Sequence, residues 1–316
     1  MVSDVRGVTE APLSRIAAPL ITLWIVWGST YMGTSLVVQS MPPLMGAGSR
    51  FLAGTVLLAL IVVAIRGPKV FNITFPELRG AIFMGIFILA IGIGVLSLAQ
   101  RYVPSSIAAL IFSIIPLWII IFRIRARDRP SRLTLIGVGI GLLGLILLLL
   151  PGGTEPVGNA DTIQVAVWSL GIAVTSFLWA FFSWRSTSYA QPKDSLVTTV
   201  IELLTAGIVL TILGAVIGER WDFAAVTNAS WFGWAFLVIA STLGYSTYVW
   251  LIGNAPMSLV STHAYVNPVI AVILGFTILN ERITTDVVLG LTIVVGGVIL
   301  VVSGERRSKT VVPEPG

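Results

Sequence analysis

Two ionisable residues stand inside long apolar runs: Arg50 is the only charge between Leu44 and Ile65, and Glu202 is the only charge between Leu196 and Ile217. A charge held in hydrocarbon costs at least about 2.5 to 3.5 kcal/mol on insertion scales, so each needs a compensating partner or a task. Arg50 can receive an anionic substrate group, or it can snorkel to headgroups or cap helix-end carbonyls. Glu202 can exchange a proton, bind a cationic group, or hydrogen-bond a neighbouring helix. His263 and Asn267 are four residues apart and share a helix face, directly before Pro268. The imidazole there suits proton coupling, a hydrogen bond to substrate in one tautomer, or an interhelical bond. Trp24, Trp27 and Tyr31 repeat at three and four residues, and Ser241, Tyr245 and Tyr248 at four and three. Such stripes form either aromatic walls for an amphiphilic organic molecule or ordinary helix packing.

Other chemistries find no residues to perform them. The chain of 316 residues has no Cys and one His, which removes thiolate nucleophiles and His-rich or Cys-based metal sites. There is no HExxH sequence and one deeply embedded carboxylate, so neither a metallohydrolase nor a paired-carboxylate enzyme is expected, and neither a metal nor a cofactor. A G-x-x-x-x-G-K-[ST] loop for ATP is also missing. Nothing resembles a selectivity-filter loop or a ring of pore charges, which weighs against a channel.

The elements that position these residues follow from composition. Charged residues are 10% of the chain against roughly 25% in soluble domains, hydrophobic residues are 56%, and the mean hydropathy is +0.98. This is a polytopic, all-α membrane protein. Segments of about 20 apolar residues suffice to cross the hydrocarbon, and ten are predicted, at residues 17–38, 44–65, 79–99, 104–122, 133–150, 163–184, 195–217, 231–252, 256–279 and 286–303. A turn at Gly253-Asn254-Ala255-Pro256 divides the eighth from the ninth. The net charge of +5 comes from basic residues in the breaks, so it reports topology and not nucleic acid. With the N-terminus in the cytoplasm, 15 Lys and Arg fall inside and only Arg101, Arg220 and Arg282 outside, which predicts cytoplasmic tails over residues 1–16 and 305–316.

The chain also repeats itself. At an offset of 152 residues, Pro104, Ser106 and Pro116 fall on Pro256, Ser258 and Pro268, and Trp27 falls on Trp179; at 153, Gly137 and Gly144 fall on Gly290 and Gly297. Two five-helix units, 17–152 and 163–304, are therefore expected, and an odd number of crossings makes them inverted about an axis in the membrane plane. That architecture belongs mainly to transporters, whose two bundles rock around a midplane site. Pro116 and Pro268 should kink their helices near the bilayer centre. Arg50 and Glu202 are related by the same offset, but the inversion separates their backbones by ~12 Å along the normal, which disfavours a direct ion pair. Trp27 and Trp179 should face one cavity from two sides.

The run Trp27-Gly28-Ser29-Thr30-Tyr31, Pro42-Pro43-Leu44, Arg50-Phe51, Trp179-Ala180-Phe181, Ile201 to Gly207, Ala264 to Val269 and Glu281, in that order, resembles the EamA family of the drug/metabolite transporter superfamily, and within it the YedA-like bacterial inner-membrane exporters. The resemblance covers about residues 17–304. It implies a ten-helix carrier with a central cavity in the bacterial cytoplasmic membrane, both termini cytoplasmic, exporting small metabolites or amphiphilic compounds and driven by an ion or substrate gradient. Its partners would be a small-molecule substrate and the lipid bilayer. A proton is one candidate coupling ion, gradient-independent facilitation or exchange is the alternative, and monomer and homodimer both stay open. The chain departs from the family pattern at two connections, with Asp128 as the only acid from Arg123 to Arg129 and Asn280 where Gly is usual. Glu281, with Arg282 and Asp286, reads as a loop ion pair or a helix cap.

Overall fold

Hydrocarbon offers no hydrogen-bond partner to a peptide group, so an apolar run that crosses it must satisfy its backbone internally, and the sequence answers with helices. The computed structural model describes residues 13–125, 130–149, 157, 160–255, 260 and 263–310. Among them are α1 (Leu13–Val38), α2 (Pro43–Arg66), α3 (Phe75–Ala99), α4 in two pieces (Ser105–Phe112 and Ile115–Arg125), α5 (Arg132–Leu149), α6 (Thr162–Arg185), α7 (Ser195–Val216), α8 (Asn228–Asn254), α9 (His263–Leu279) and α10 (Thr285–Thr310). Each expected apolar segment overlaps one rod, the ninth from His263 onward. Seven rods are long and apolar enough to cross a membrane, while α5, α9 and α10 contribute shorter apolar stretches, Arg132–Gly144, Val266–Leu279 and Thr285–Val301.

Several boundaries differ from the hydropathy reading. α1 starts at Leu13 and α10 runs to Thr310, so parts of both expected tails are helical. Hydropathy marks only the apolar part of a helix, whereas Glu305, Arg306, Arg307 and Lys309 are polar residues of good helix propensity that let the hydrogen-bonded turns continue. The rest of both tails, the connection at residues 150–156, Asp128, and Pro256 and Ser258 of the repeat lie outside the described residues. The turn expected at Gly253 begins later: Gly253 and Asn254 are still helical, and Ala255 is extended at φ −133 and ψ 151, as its position before a proline favours.

Two helices lose their regular ladder in the interior. In α4 the helix breaks at Ser113 and Ile114, just ahead of Pro116, whose missing N–H leaves the Phe112 carbonyl without its usual donor. α9 runs on through Pro268. α3 contains a π-helical segment, Gly85–Ala90, which sequence periodicity did not signal.

The packing exchanges residues 13–149 with 162–310. α1 packs on α8 and α9 as α6 packs on α3 and α4; α2 meets α8 as α7 meets α3; and α2 with α7, α4 with α9, and α5 with α10 pair across the exchange. This is the contact pattern of an inverted repeat. The exterior is apolar: Val56 and Leu60 on α2 and Ile208 and Ile212 on α7 are exposed at four-residue spacing. Such stripes face lipid in a membrane protein.

The α5–α10 pair is built on glycine. A methyl group on Gly297 would lie 2.6 Å from the Gly141 nitrogen, and one on Gly137 would lie 2.7 Å from the Gly297 carbonyl oxygen, so the two backbones touch. Gly296, one residue away, faces open space. Gly297→Ala should therefore cost roughly 1 to 3 kcal/mol of stability, as an overpacked contact does, and lower the thermal unfolding midpoint of the detergent-purified protein. Gly296→Ala on the same helix should leave the midpoint unchanged or raise it.

Candidate functional site

Where the regular ladder of α4 fails, a cavity opens between the two inverted units. It holds about 780 Å³ of non-atom space, part of it open to solvent, of which about 80 Å³ has room for the centre of a water-sized sphere. α1 contributes Trp27, Thr30, Tyr31 and Thr34, and α2 contributes Arg50 and Phe51. α4 supplies Phe112, Ser113 and Ile115 around its break, and α9 supplies His263, Ala264 and Asn267. At the 152-residue offset Phe112 corresponds to Ala264, and these are the residues whose carbonyls Pro116 and Pro268 release. Both residues line the same cavity, one from each unit.

Trp27 is the hub of the aromatic wall. Its ring centroid is 4.6 Å from Tyr248, 5.0 Å from His263 at 87°, and 5.9 Å from Trp179 at 87°. Phe112 meets Trp179 at 6.2 Å, also edge to face, and Tyr31 meets Phe112 at 6.2 Å. Small residues hold the rings. A methyl on Gly244 would lie 2.8 Å from the Trp27 indole, and one on Gly92 would lie 2.9 Å from Trp179. Tyr31 is anchored through its backbone, because the buried Gln100 amide donates to the Tyr31 carbonyl at 3.0 Å.

The polar groups are few. His263 is buried, and its Nδ1 lies 2.7 Å from the Val260 carbonyl oxygen. A carbonyl can only accept, so the neutral ring carries its proton on Nδ1 and presents Nε2 as an acceptor. The Asn267 amide nitrogen donates to the carbonyls of Trp24 at 3.2 Å and His263 at 3.1 Å, which ties α9 to α1. Arg50 is 3% exposed, its Nε and Nη1 have no hydrogen-bond partner, and its guanidinium carbon lies 4.8 Å from the Phe51 ring centroid.

Glu202, also 3% exposed, stands one residue behind the wall. Its carboxyl group lies beside Tyr245, which lines the cavity, and Oε2 has no partner. No ion pair joins it to Arg50, in keeping with their expected separation. The π-helical segment of α3 packs directly on this position, since a methyl on Gly85 would lie 2.8 Å from the Glu202 carbonyl oxygen. Among the described residues no group of three His, Asp or Glu could hold a metal ion.

Of the residues singled out from sequence, Trp27, Tyr31, Arg50, Trp179, Tyr245, His263 and Asn267 line the cavity together. Tyr248 packs behind Trp27 and donates to the Ser183 hydroxyl at 3.3 Å. Trp24 contributes a backbone carbonyl. Sequence reasoning missed the apolar lining of α3, Leu89, Ile93 and Leu96, because a leucine facing a cavity and one facing a neighbour look alike in a sequence. Phe112 and Ser113 carried a signal in their distance from Pro116.

Two carboxylates clasp the units together at helix starts. Glu281 accepts from the backbone N–H of Ser105 at 2.7 Å, of Ser106 at 3.2 Å, and from the Ser106 hydroxyl at 2.7 Å. Asn280 makes this possible by taking a left-handed φ of 55°, the conformation for which glycine is usual and which Asn tolerates. Glu219, which the sequence reading did not single out, caps α2 in the same way through Leu44 at 3.0 Å and Met45 at 2.8 Å. Glu281→Ala should cost about 1 to 2 kcal/mol of stability, the worth of a helix cap, and lower the thermal midpoint in detergent; Glu281→Gln, which keeps one acceptor, should cost less.

The chain matches the model of the EamA-like transporter family twice, over residues 16–150 and 166–303. It is 35% identical over 298 residues to the inner membrane transporter YedA of Escherichia coli (strain K12), covering 90% of each chain. It is also similar to the transporter YoaV of Bacillus subtilis (strain 168), at 22% identity over 90% of this chain and 96% of that protein. A crystal structure of a protein 20% identical in sequence shares the fold, with a TM-score of 0.65 over 93% of this chain and 99% of that one.

Proposed function

The chain belongs to the EamA-like transporter family, and from that premise we propose that it exports small organic metabolites or amphiphilic compounds across the bacterial inner membrane as a secondary active carrier working by alternating access. The observation that carries this reading is the cavity between the inverted units, lined from both of them. Two bundles of similar packing give inward-open and outward-open states of similar energy, so a modest differential affinity suffices to move the carrier between them. In this reading the ten rods are ten spans, and the 15 to 3 distribution of Lys and Arg places both termini in the cytoplasm. The inner-membrane location rests on the name of the Escherichia coli relative.

Glu202 is the coupling group we favour. A buried carboxylate with one oxygen unpartnered, facing the cavity through Tyr245, is arranged to gain and lose a proton as the cavity alternates between the two sides. His263 and Arg50 are the other ionisable groups at the cavity besides Tyr31 and Tyr245. His263, with Nε2 offered as an acceptor, holds a donor on the substrate.

The test is flux in sealed proteoliposomes, screening amino acids, nucleosides and aromatic anions and cations with and without an imposed pH gradient. A saturable flux of one class, accelerated by the gradient, is expected. Glu202→Gln should reduce the gradient-driven part by about tenfold or more with expression intact, and His263→Ala should weaken substrate dependence. Saturable flux indifferent to the gradient and to Glu202→Gln would replace the coupled carrier by a facilitator or exchanger.

A further inference from the structure

Among the described residues the Arg50 guanidinium, a buried cation, forms no ion pair. Its side chain is 3% exposed, Nε and Nη1 meet no hydrogen-bond partner, and neither Asp nor Glu occurs among the residues that line its cavity. Glu202, its counterpart in the repeat, forms no ion pair with it and lies beside Tyr245. The cation–π contact with Phe51 replaces only a small part of the hydration that burial removes. A charge held this way is satisfied when a ligand brings the opposite one.

The rest of the cavity describes the remainder of that ligand. Trp27, Tyr31, Phe112 and Trp179 form a box of faces and edges suited to a flat apolar body. The acceptors on α9 are neutral, so a ligand ammonium there would gain hydrogen bonds but no counter-charge, and it would share a low-dielectric space with the guanidinium.

We infer that the cavity is a receptor for an organic monoanion with an aromatic body, its carboxylate taken by Arg50 and its ring by the Trp27, Trp179 and Phe112 box. The inference rests on the carrier reading and narrows its substrate class. Anions are favoured over neutral isosteres, and zwitterions and cations are disfavoured by the field of Arg50.

The experiment is calorimetric titration of the purified full-length protein with four ligands of one shape: 3-phenylpropionate, 3-phenylpropionamide, phenethylamine and phenylalanine. The carboxylate should bind at least about tenfold more tightly than the amide or the amine, and more tightly than phenylalanine. Arg50→Gln should reduce the preference for carboxylate over amide to within about threefold, and Arg50→Lys should keep the preference at weaker affinity, since a point charge replaces a planar fork. Arg50→Gln removes an uncompensated buried charge, so its thermal midpoint should not fall below that of the parent.

The inference is overturned if amide or amine binds as well as the carboxylate, if phenylalanine binds more tightly, if none of the four binds, or if Arg50→Gln retains the preference. Flux of labelled 3-phenylpropionate above that of protein-free vesicles tests the carrier reading separately. Carboxylate binding without saturable flux would count against the carrier and leave the anion site standing.

Discussion

Everything in this molecule depends on the rule that a peptide group in hydrocarbon must find its hydrogen-bond partner inside the protein. The long rods obey it by being helical, and the departures from regular helix sit in the interior, where they can be tolerated. The break in α4 ahead of Pro116 and the π-helical segment Gly85–Ala90 both abut the space between the inverted units. A helix that loses its ladder there does so away from lipid, beside the space between the units.

The two units are alike in packing and unlike in chemistry. At the 152-residue offset, His263 corresponds to Ile111 and Asn267 to Ile115, so the second unit carries polar groups on a helix face where the first carries isoleucine. Arg50 and Glu202 differ in the sign of their charge at equivalent positions. Repeated backbones supply a pseudo-symmetric frame, and divergence of a few side chains makes the cavity one-sided. A ligand in it would meet a cation and an aromatic box from one direction and two neutral acceptors from another.

Contacts between the units differ in kind along their length. Glycine pairs bring α5 and α10 together backbone to backbone, a contact that tolerates little movement. Glu219 and Glu281 instead hold the starts of α2 and α4 by charge-assisted hydrogen bonds to free N–H groups, with both carboxylates half-buried. Bonds of this type re-form readily with water when helix ends separate, whereas the glycine seam has no such substitute. The frame is therefore fastened tightly at one pair and more exchangeably at the helix starts.

Membrane residence, the approximate positions of the rods, the inverted-repeat pattern of contacts and seven of the cavity-lining residues were legible in the sequence. Each of these follows from one-dimensional quantities: apolar length, the rarity of embedded charge, and a fixed offset between prolines, tryptophans and glycines. Arg50, Glu202 and His263 stood out because an ionisable group is so costly in that surrounding that its presence alone is informative. What only the tertiary structure decided is who meets whom. It left Arg50 and Glu202 unpaired, set Tyr245 between Glu202 and the cavity, fixed the His263 tautomer through the Val260 carbonyl, and turned Glu281 and Glu219 into caps on helices some 175 residues away. Those outcomes depend on distances between segments remote in the chain, and no local periodicity encodes such distances. The π-helical turn of α3 belongs with them, since its apolar residues are as compatible with an ordinary helix and it is packing against α7 that accommodates the extra residue.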